Sequence, residues 1–453
     1  MFASPRQVAL SVLNDLDQGK ETLDAIMERA FRKNIALERR DRALIMELVY
    51  GVLRQRAAID WVIDQVSRTP RSKMDATVLN VVRLGIYQLL YTDRIPPSAA
   101  INESVNLVKV GQPDWIVSFV NGVLRAVERE RDQIKWPDPE ADPVAAISVE
   151  TSHPVWLVER WVNRYGLEET RALCESNNRI PVLSLRTNTL RIKPDQLLHF
   201  LRKEVPEIEA SPYSPVGLLL KGFSGNVTRI TGYKTGWFLI QDESSQVASY
   251  LLSPQPGDLV LDACAGLGGK TTHLAQMMRN LGRIMALDIH GERLERLNEN
   301  AGRLGIQCIE IVKKNVTKSL SDLGAKKFDR ILVDAPCTGL GVIRRNPDVK
   351  WRINPEDLKR MAERQVAILE ETAPLLKDNG IIVYSTCSLE PEENEEVIDS
   401  FLSRHDEFEK EDPRPVLPEK ARELVEPGNF LRTCPHRHGM DGFSAVRMRV
   451  KRS

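Results

Sequence analysis

The sequence predicts a multidomain chain with an all-α N-terminal domain, a small α+β middle domain and a C-terminal α/β doubly wound domain. Three observations lead there. Apolar residues recur at helical spacing, without strand alternation, from Pro5 to about Glu130. A proline-rich stretch from Asp132 to Asp142, bounded by Pro143, reads as a linker. From Leu259 onward, short β-branched runs alternate with amphipathic helices, the pattern of a mostly parallel sheet.

In the N-terminal part, Ala9, Val12, Leu13 and Leu16 recur at i, i+3, i+4 and i+7. Leu44, Leu48, Val52 and Leu53 form a second stripe, and Val78, Val82, Ile86 and Leu89 a third. Pro96-Pro97 and Gln112-Pro113 separate the helices. Pro154 opens a helical stretch through Trp161 to Cys174. Strands are predicted at Ser184 to Thr187 and Gly217 to Leu220, around a helix from Pro194 to Glu204, in a unit that ends near Gly236. The predicted domains are 1–135, 145–235 and 236–453. Within the last, strands are expected at Leu259 to Ala263, Arg283 to Asp288, Gln307 to Val312, Asp329 to Val333 and Gly380 to Tyr384. Helices follow from Thr271, over Glu292 to Leu304, Pro355 to Leu376 and Glu393 to Ser403. The alternation from Gly442 to Val450 suits an antiparallel edge pair.

Lys plus Arg and Asp plus Glu both number 63, so the formal net charge is zero. A uniformly basic nucleic-acid binder is excluded, but local patches are not. Basic residues cluster at Arg39, Arg40, Arg42 and Arg54, and at Arg344, Arg345, Lys350 and Arg352; each cluster is read as either a functional patch or a solvated helix face. The six cysteines, Cys174, Cys264, Cys308, Cys337, Cys387 and Cys434, are sparse and lack a CxxC pair, so no secreted disulfide framework is expected. Met1 to Gln7 has no basic region followed by an apolar core, and no apolar run reaches the roughly 18 residues that span a bilayer. A cytoplasmic protein with free thiols and no membrane partner is the expectation.

Chemistry concentrates at two cysteines. Cys337 in Asp334-Ala335-Pro336-Cys337 and Cys387 in Ser385-Thr386-Cys387-Ser388 each follow a predicted buried strand. The C-terminal ends of such strands face the crevice where doubly wound sheets bind ligands. Only one long helix separates the two strands, so they are expected to be neighbours and the thiols to lie close together. The loop Cys264-Ala265-Gly266-Leu267-Gly268-Gly269-Lys270 joins a strand to a helix, and Asp288 ends the next strand, where a carboxylate accepts from ribose hydroxyls. That spacing suits NAD, FAD or S-adenosylmethionine alike. It is not a P-loop, because Cys264 stands where its first glycine belongs.

A thiolate is a strong nucleophile. Attack at C6 of a pyrimidine makes C5 nucleophilic enough to take a methyl group from a sulfonium. The ring must then lose its C5 proton and expel the sulfur. This needs a group that protonates or polarises N3, for which Asp334 is placed, and a base near C5, for which Cys337 is placed.

With these residues in hand, the chain resembles the RNA 5-cytosine methyltransferases of the Sun type. The matching runs are Asp262 to Ala265 with Gly268-Gly269-Lys270, Asp334 to Gly339, Gly341 to Asp348, Lys350-Trp351, Gln365, and Tyr384 to Ser388 with Glu392 to Glu395. Gln241 to Gln246 and Pro435 to Phe443 also fit. Leu48 to Arg54, Ala100 to Glu103 and Val120 to Arg125 look like the family's N-terminal domain, which is similar to the antitermination factor NusB. The resemblance implies a NusB-like helical RNA-binding domain, an RRM-like middle domain and a Rossmann-like class I methyltransferase domain. It implies Cys387 as nucleophile and Cys337 as the residue aiding product release. It implies S-adenosylmethionine as cofactor, held by Cys264 to Lys270, Asp288, the position of Asn315, and Asp334. The implied substrate is one cytosine of small-subunit rRNA, and the family is usually monomeric. Methylation of another RNA such as tRNA, an antitermination-type RNA binder and a nicotinamide oxidoreductase are the alternatives.

Two positions depart from the family. Gly266-Leu267 replaces its usual Ala-Pro, and Asn315 stands where an acidic residue commonly contacts adenine. An amide oxygen accepts from the adenine amino group without charge assistance. Cys434-x-His436-x-His438 has metal-competent side chains, but three such close positions rarely close a site, and no metal is expected. Trp351 is read equally as a base-stacking platform and as core beside a helix.

Overall fold

The computed structural model describes residues 4–109, 111–223, 225–323 and 328–451; the first three residues of the N-terminal stretch lie outside them. The chain divides into two compact units, Met1–Arg179 with Ile343–Arg352, and Ile180–Val342 with Ile353–Ser453.

The first unit is helical. Ser4 caps its opening helix, Pro5–Asp17, in a reciprocal capping box with Gln7. Arg39–Arg54 and Ala76–Tyr91 are its longest core helices before Asp114–Glu130. The three apolar stripes meet in one cluster, with Ala9, Leu48, Val52, Val82 and Ile86 essentially inaccessible. The stretch read as a linker is fastened down: Trp61 Nε1 donates to the Lys135 carbonyl at 2.8 Å. The helix expected from Pro154 to Cys174 is two helices, Val155–Tyr165 and Leu167–Asn178, broken at Gly166, whose φ of +80° no helix tolerates.

Residues Ile343–Arg352 belong to this helical unit, which the sequence did not signal. Lys350 is fully buried; its ammonium donates to the Arg54 carbonyl at 3.1 Å and to Asn178 Oδ1 at 3.0 Å. Burial pushes it down to about 7. Trp351 donates to the Leu53 carbonyl at 2.7 Å and packs against the helical core. Of the two readings of Trp351, core is the one observed. Nor is the second basic cluster a solvated face, since Arg344 is also buried and Arg352 pairs with Asp348 at 3.3 Å.

The second unit carries two sheets. The small one has β1 (Leu183–Thr187), β2 (Ile208–Ala210), β3 (Gly217–Leu220) and β4 (Phe238–Ile240) in the order β2-β3-β1-β4. Every pairing in it is antiparallel, and the helix Pro194–Leu201 contributes Leu197 and Leu201 to its core. β4 lies past Gly236, where the sequence reading ended this unit.

The large sheet contains β5 (Leu259–Asp262), β6 (Arg283–Asp288), β7 (Ile309–Lys313), β8 (Phe328–Asp334), β9 (Leu376–Thr386), β10 (Phe408–Lys410), β11 (Val425–Glu426), β12 (Phe430–Thr433) and β13 (Phe443–Val450). Its order is β11-β12-β13-β9-β8-β5-β6-β7, with β10 also on β13. β7, β6, β5, β8 and β9 run parallel. β13 is antiparallel to β9, and rather than lying at the edge it is covered on its far side by β12 and β10. Leu261, Ile331, Val333, Ile382 and Tyr384 fill the core on one face, between the sheet and the helix Pro355–Thr372.

Candidate active site

The chain order of the parallel strands reverses between β5 and β8. Such a switch point opens a crevice at the carboxyl ends of the strands. Asp262 ends β5 and Asp334 ends β8, and both line a cavity of about 500 Å³ at that place. Of the residues predicted to hold a cofactor, Cys264, Ala265, Gly266, Leu267, Gly269, Lys270, Asp288, Asn315 and Asp334 line it. Gly268 supports the loop from below: its φ is +83°, and a Cβ there would meet Leu297 Cγ at 2.6 Å.

The loop is tied to the next strand. Asp288 Oδ2 accepts from the Gly266 N–H at 3.0 Å and Oδ1 from the His290 N–H at 2.8 Å. The helix begins at Gly269, so Lys270 sits in its first turn. The Lys270 ammonium lies 2.8 Å from Asp334 Oδ2 and 4.7 Å from the centre of the Phe443 ring. Asp334 Oδ1 accepts from Ser385 Oγ at 2.8 Å. Asp262 accepts from Thr271 Oγ1 at 2.7 Å through Oδ2, while its buried Oδ1 has no hydrogen-bond partner among the described residues. Burial raises Asp262 to about 7, and the neighbouring Asp334 charge adds to this. Burial likewise holds the Cys264 thiol well up. Asn315, which lines the cavity, accepts through Oδ1 from the Thr317 N–H at 3.0 Å and from Thr317 Oγ1 at 2.9 Å.

Cys337 and Cys387 follow the adjacent parallel strands β8 and β9, and their sulfurs are 3.1 Å apart as free thiols. Both are partly exposed. The contact with Cys387, together with burial, drives the Cys337 thiol well up. The cavity reaches Asp334 and Pro336, just before Cys337.

The run Glu393-Asn394 positions both cysteine loops. Buried Glu393 accepts from the Thr338 N–H at 2.8 Å, from Thr338 Oγ1, and from Gln365 Nε2 at 3.1 Å. Gln365 Nε2 also donates to the Pro336 carbonyl at 3.0 Å. Asn394 Oδ1 accepts from Thr386 Oγ1 at 2.8 Å, and its amide nitrogen donates to Glu390 and Ser388 carbonyls. Gly341 N–H donates to the Cys387 carbonyl at 2.9 Å, and a Cβ on Gly341 would lie 2.2 Å from the Gly442 oxygen.

Sequence reasoning missed Gln241, Ser245, Asp262, Arg293, Lys314 and Arg364 among the lining residues. Gln241, Ser245 and Asp262 stand in runs already singled out, whereas Arg293, Lys314 and Arg364 carry no local signal. Cys434 precedes a four-residue helix, Pro435–His438, and its N–H donates to His438 Nδ1 at 2.8 Å. Among the described residues no cluster of three or more His, Cys, Asp or Glu has metal-binding geometry, and no helix is long and apolar enough to cross a membrane.

Known proteins match along the whole chain. Residues 249–449 match the family described as 16S rRNA methyltransferase RsmB/F, residues 3–129 the NusB family, and residues 153–228 the ferredoxin-like domain of RsmF/B-like methyltransferases. A probable ribosomal RNA small subunit methyltransferase B of Bacillus subtilis is 38% identical, with 99% of each chain covered. The ribosomal RNA small subunit methyltransferase B of Pseudomonas putida is 35% identical over 88% of this chain and 89% of its own. Among solved structures, a methyltransferase homolog protein from Pyrococcus horikoshii has a TM-score of 0.59 at 30% identity, covering 68% of this chain and 99% of its own. The identity, held over the full length and through all three matched regions, places this chain in the RsmB/F family of small-subunit ribosomal RNA methyltransferases.

Proposed function

We propose that the protein methylates C5 of a cytosine in small-subunit rRNA through a covalent Cys387–C6 adduct, with S-adenosylmethionine as methyl donor and Cys337 aiding release. The observation that carries this reading is the thiol pair, 3.1 Å apart at the ends of neighbouring strands, where the wall of the cavity ends at Pro336. Neither thiol has a part in hydride transfer. The names of the relatives favour small-subunit rRNA over tRNA. The reaction belongs in the cytoplasm, where thiols stay reduced.

The cavity fits the donor. Its volume lies in the range of small-molecule sites, and the carboxylates of Asp262, Asp288 and Asp334 line it, as a cationic sulfonium and ammonium require. The role assigned to Asp288 is to accept from ribose hydroxyls, and that of Asp262, whose Oδ1 has no hydrogen-bond partner among the described residues, is to face the ammonium. When bound, S-adenosylmethionine supplies the methyl group as an electrophile.

The remaining work falls to side chains. Cys387, in the Thr-Cys run that the family resemblance assigns to the nucleophile, attacks C6, with the Cys337 sulfur 3.1 Å away. Asp334, fixed by Lys270 and Ser385, stabilises a protonated N3 as electrons move into the ring. After methyl transfer Cys337, its own proton given up to solvent, takes the C5 proton as thiolate; the C5–H electron pair re-forms the C5–C6 double bond, the Cys387 sulfur leaves as thiolate, and N3 releases its proton to Asp334 or water. The target base must leave its stack to reach this position. Incubation of Cys337→Ala with rRNA and S-adenosylmethionine is expected to trap a protein–RNA adduct, and Cys387→Ala to lose both adduct and 5-methylcytosine. Full activity in Cys387→Ala would overturn the mechanism.

A further inference from the structure

We infer that Arg186, on β1 of the small sheet, is a positioning residue for the cofactor cavity, acting through the first turn of the helix Gly269–Met277 and through Gln241. This rests on the reading of the cavity as the S-adenosylmethionine site. Arg186 is fully buried. Its Nη1 donates to Gln241 Oε1 and to the Gly269 carbonyl, and its Nη2 to Thr272 Oγ1 at 2.8 Å. None of these acceptors is a carboxylate, and Nε has no hydrogen-bond partner among the described residues.

A buried guanidinium without a counter-charge is a poor stabiliser, and apolar replacements of buried ions are often neutral or better. Burial lowers Arg186 to about 9, which still leaves it charged at neutral pH. Its placement makes sense through what it holds. Gly269 and Gln241 both line the cavity. The Gly269 carbonyl belongs to the peptide that leads into Lys270, the residue on Asp334. Thr272 Oγ1 in turn donates to the Gly268 carbonyl at 2.6 Å.

Asn188, two residues further along the chain, holds the other end of the same helix. Its Oδ1 accepts from Gln276 Nε2 at 3.2 Å, while its amide nitrogen donates to the Leu304 carbonyl at 2.8 Å, where the helix Gly291–Leu304 ends. The end of β1 therefore braces both helices that follow β5 and β6. On this account the small sheet is part of the methyl-donor site as well as a candidate RNA grip.

The test uses the full-length protein and titrates S-adenosylmethionine by calorimetry and an rRNA fragment by filter binding, with melting curves as the folding control. Arg186→Met is expected to raise the Kd for S-adenosylmethionine about tenfold, the effect of losing one or two charge-assisted hydrogen bonds, while rRNA affinity stays unchanged. Arg186→Lys, which keeps the charge but not the fork, is expected to fall in between. A folded Arg186→Met with wild-type Kd overturns the inference, as does an equal loss of affinity for both ligands. Should Arg186→Met fail to fold, Thr272→Val decides: weakened S-adenosylmethionine binding supports the inference and unchanged binding overturns it. A wild-type protein that does not bind S-adenosylmethionine overturns the reading of the cavity itself, and this inference with it.

Discussion

Replacing Glu393 by alanine tests whether the cysteine loops are held by the network described above. Besides the Ser388 hydroxyl, three donors serve the carboxylate, two on Thr338 and one on Gln365, in a fully buried position. Burial raises its pKa, and the bonds it accepts oppose that rise. The alanine variant strands all three donors. At about 1 kcal/mol for each lost bond, and more for any donor left dry, the expected loss is about 3–5 kcal/mol. For a domain of this size that lowers the melting temperature by roughly 6–20 °C, at about 2–4 °C per kcal/mol. Glu393→Gln keeps one acceptor oxygen for the Thr338 N–H, and the Thr338 hydroxyl can turn to accept, so its loss is about 1 kcal/mol. Thr338 follows Cys337 directly, so the alanine variant should also release product slowly and accumulate the covalent complex. Differential scanning calorimetry and a denaturing-gel assay for the complex read the two effects. A Glu393→Ala protein that melts within about 1 °C of wild type and shows no accumulation refutes the role assigned to this residue.

Gly341→Ala forces a Cβ to within 2.2 Å of the Gly442 oxygen and 2.8 Å of the Cys387 carbonyl. Backbone cannot yield as a side chain would, so a loss of about 3 kcal/mol or more is expected in urea titrations, with methylation abolished. Asp262 is raised from 3.8 to about 7, so its contribution to stability is complete below pH 4 and lost as pH rises through 7. Urea titrations of the ligand-free protein should show Asp262→Asn gaining on wild type by about 3 kcal/mol between pH 5 and pH 8; parallel pH profiles would contradict this. Lys270→Met leaves Asp334 with Ser385 alone. The methylation rate is expected to fall about a hundredfold, as when one preorganised electrostatic partner is removed; steady-state kinetics with rRNA would reveal an unchanged kcat if the pair plays no part.

Long periodic signals made much of the fold legible in advance. The helical stripes through Leu48 and Val82 became core, and the alternation after Leu259 became the large sheet. The proximity of Cys337 and Cys387 followed from a rule about successive parallel strands, and the structure sets their sulfurs in contact. Three-residue strands such as Ile208–Ala210 and Phe238–Ile240 escaped because so few residues cannot display alternation. The bond from the Thr317 N–H to Asn315 is a two-residue turn preference that carries no periodic signal. Arg186 reads as an ordinary strand residue and Asn188 as one just past it, since their partners lie about 50 to 120 positions away. Residues Ile343–Arg352 were hardest of all, because Lys350 and Trp351 look like a basic surface until Arg54 and Leu53, nearly 300 residues earlier, supply their acceptors.

That last segment has a consequence for how the polypeptide is made. A helical unit that takes its Lys350 and Trp351 from beyond the first half of the large sheet is unfinished when residue 179 leaves the ribosome. It must wait, with its slot beside Leu53 and Asn178 open, until about 170 further residues have been translated, some tens of seconds at the slow end of bacterial elongation rates. Domain-by-domain folding from the N-terminus is therefore interrupted in this chain, and the strand that ends at Asp334 is synthesised before the N-terminal unit can close.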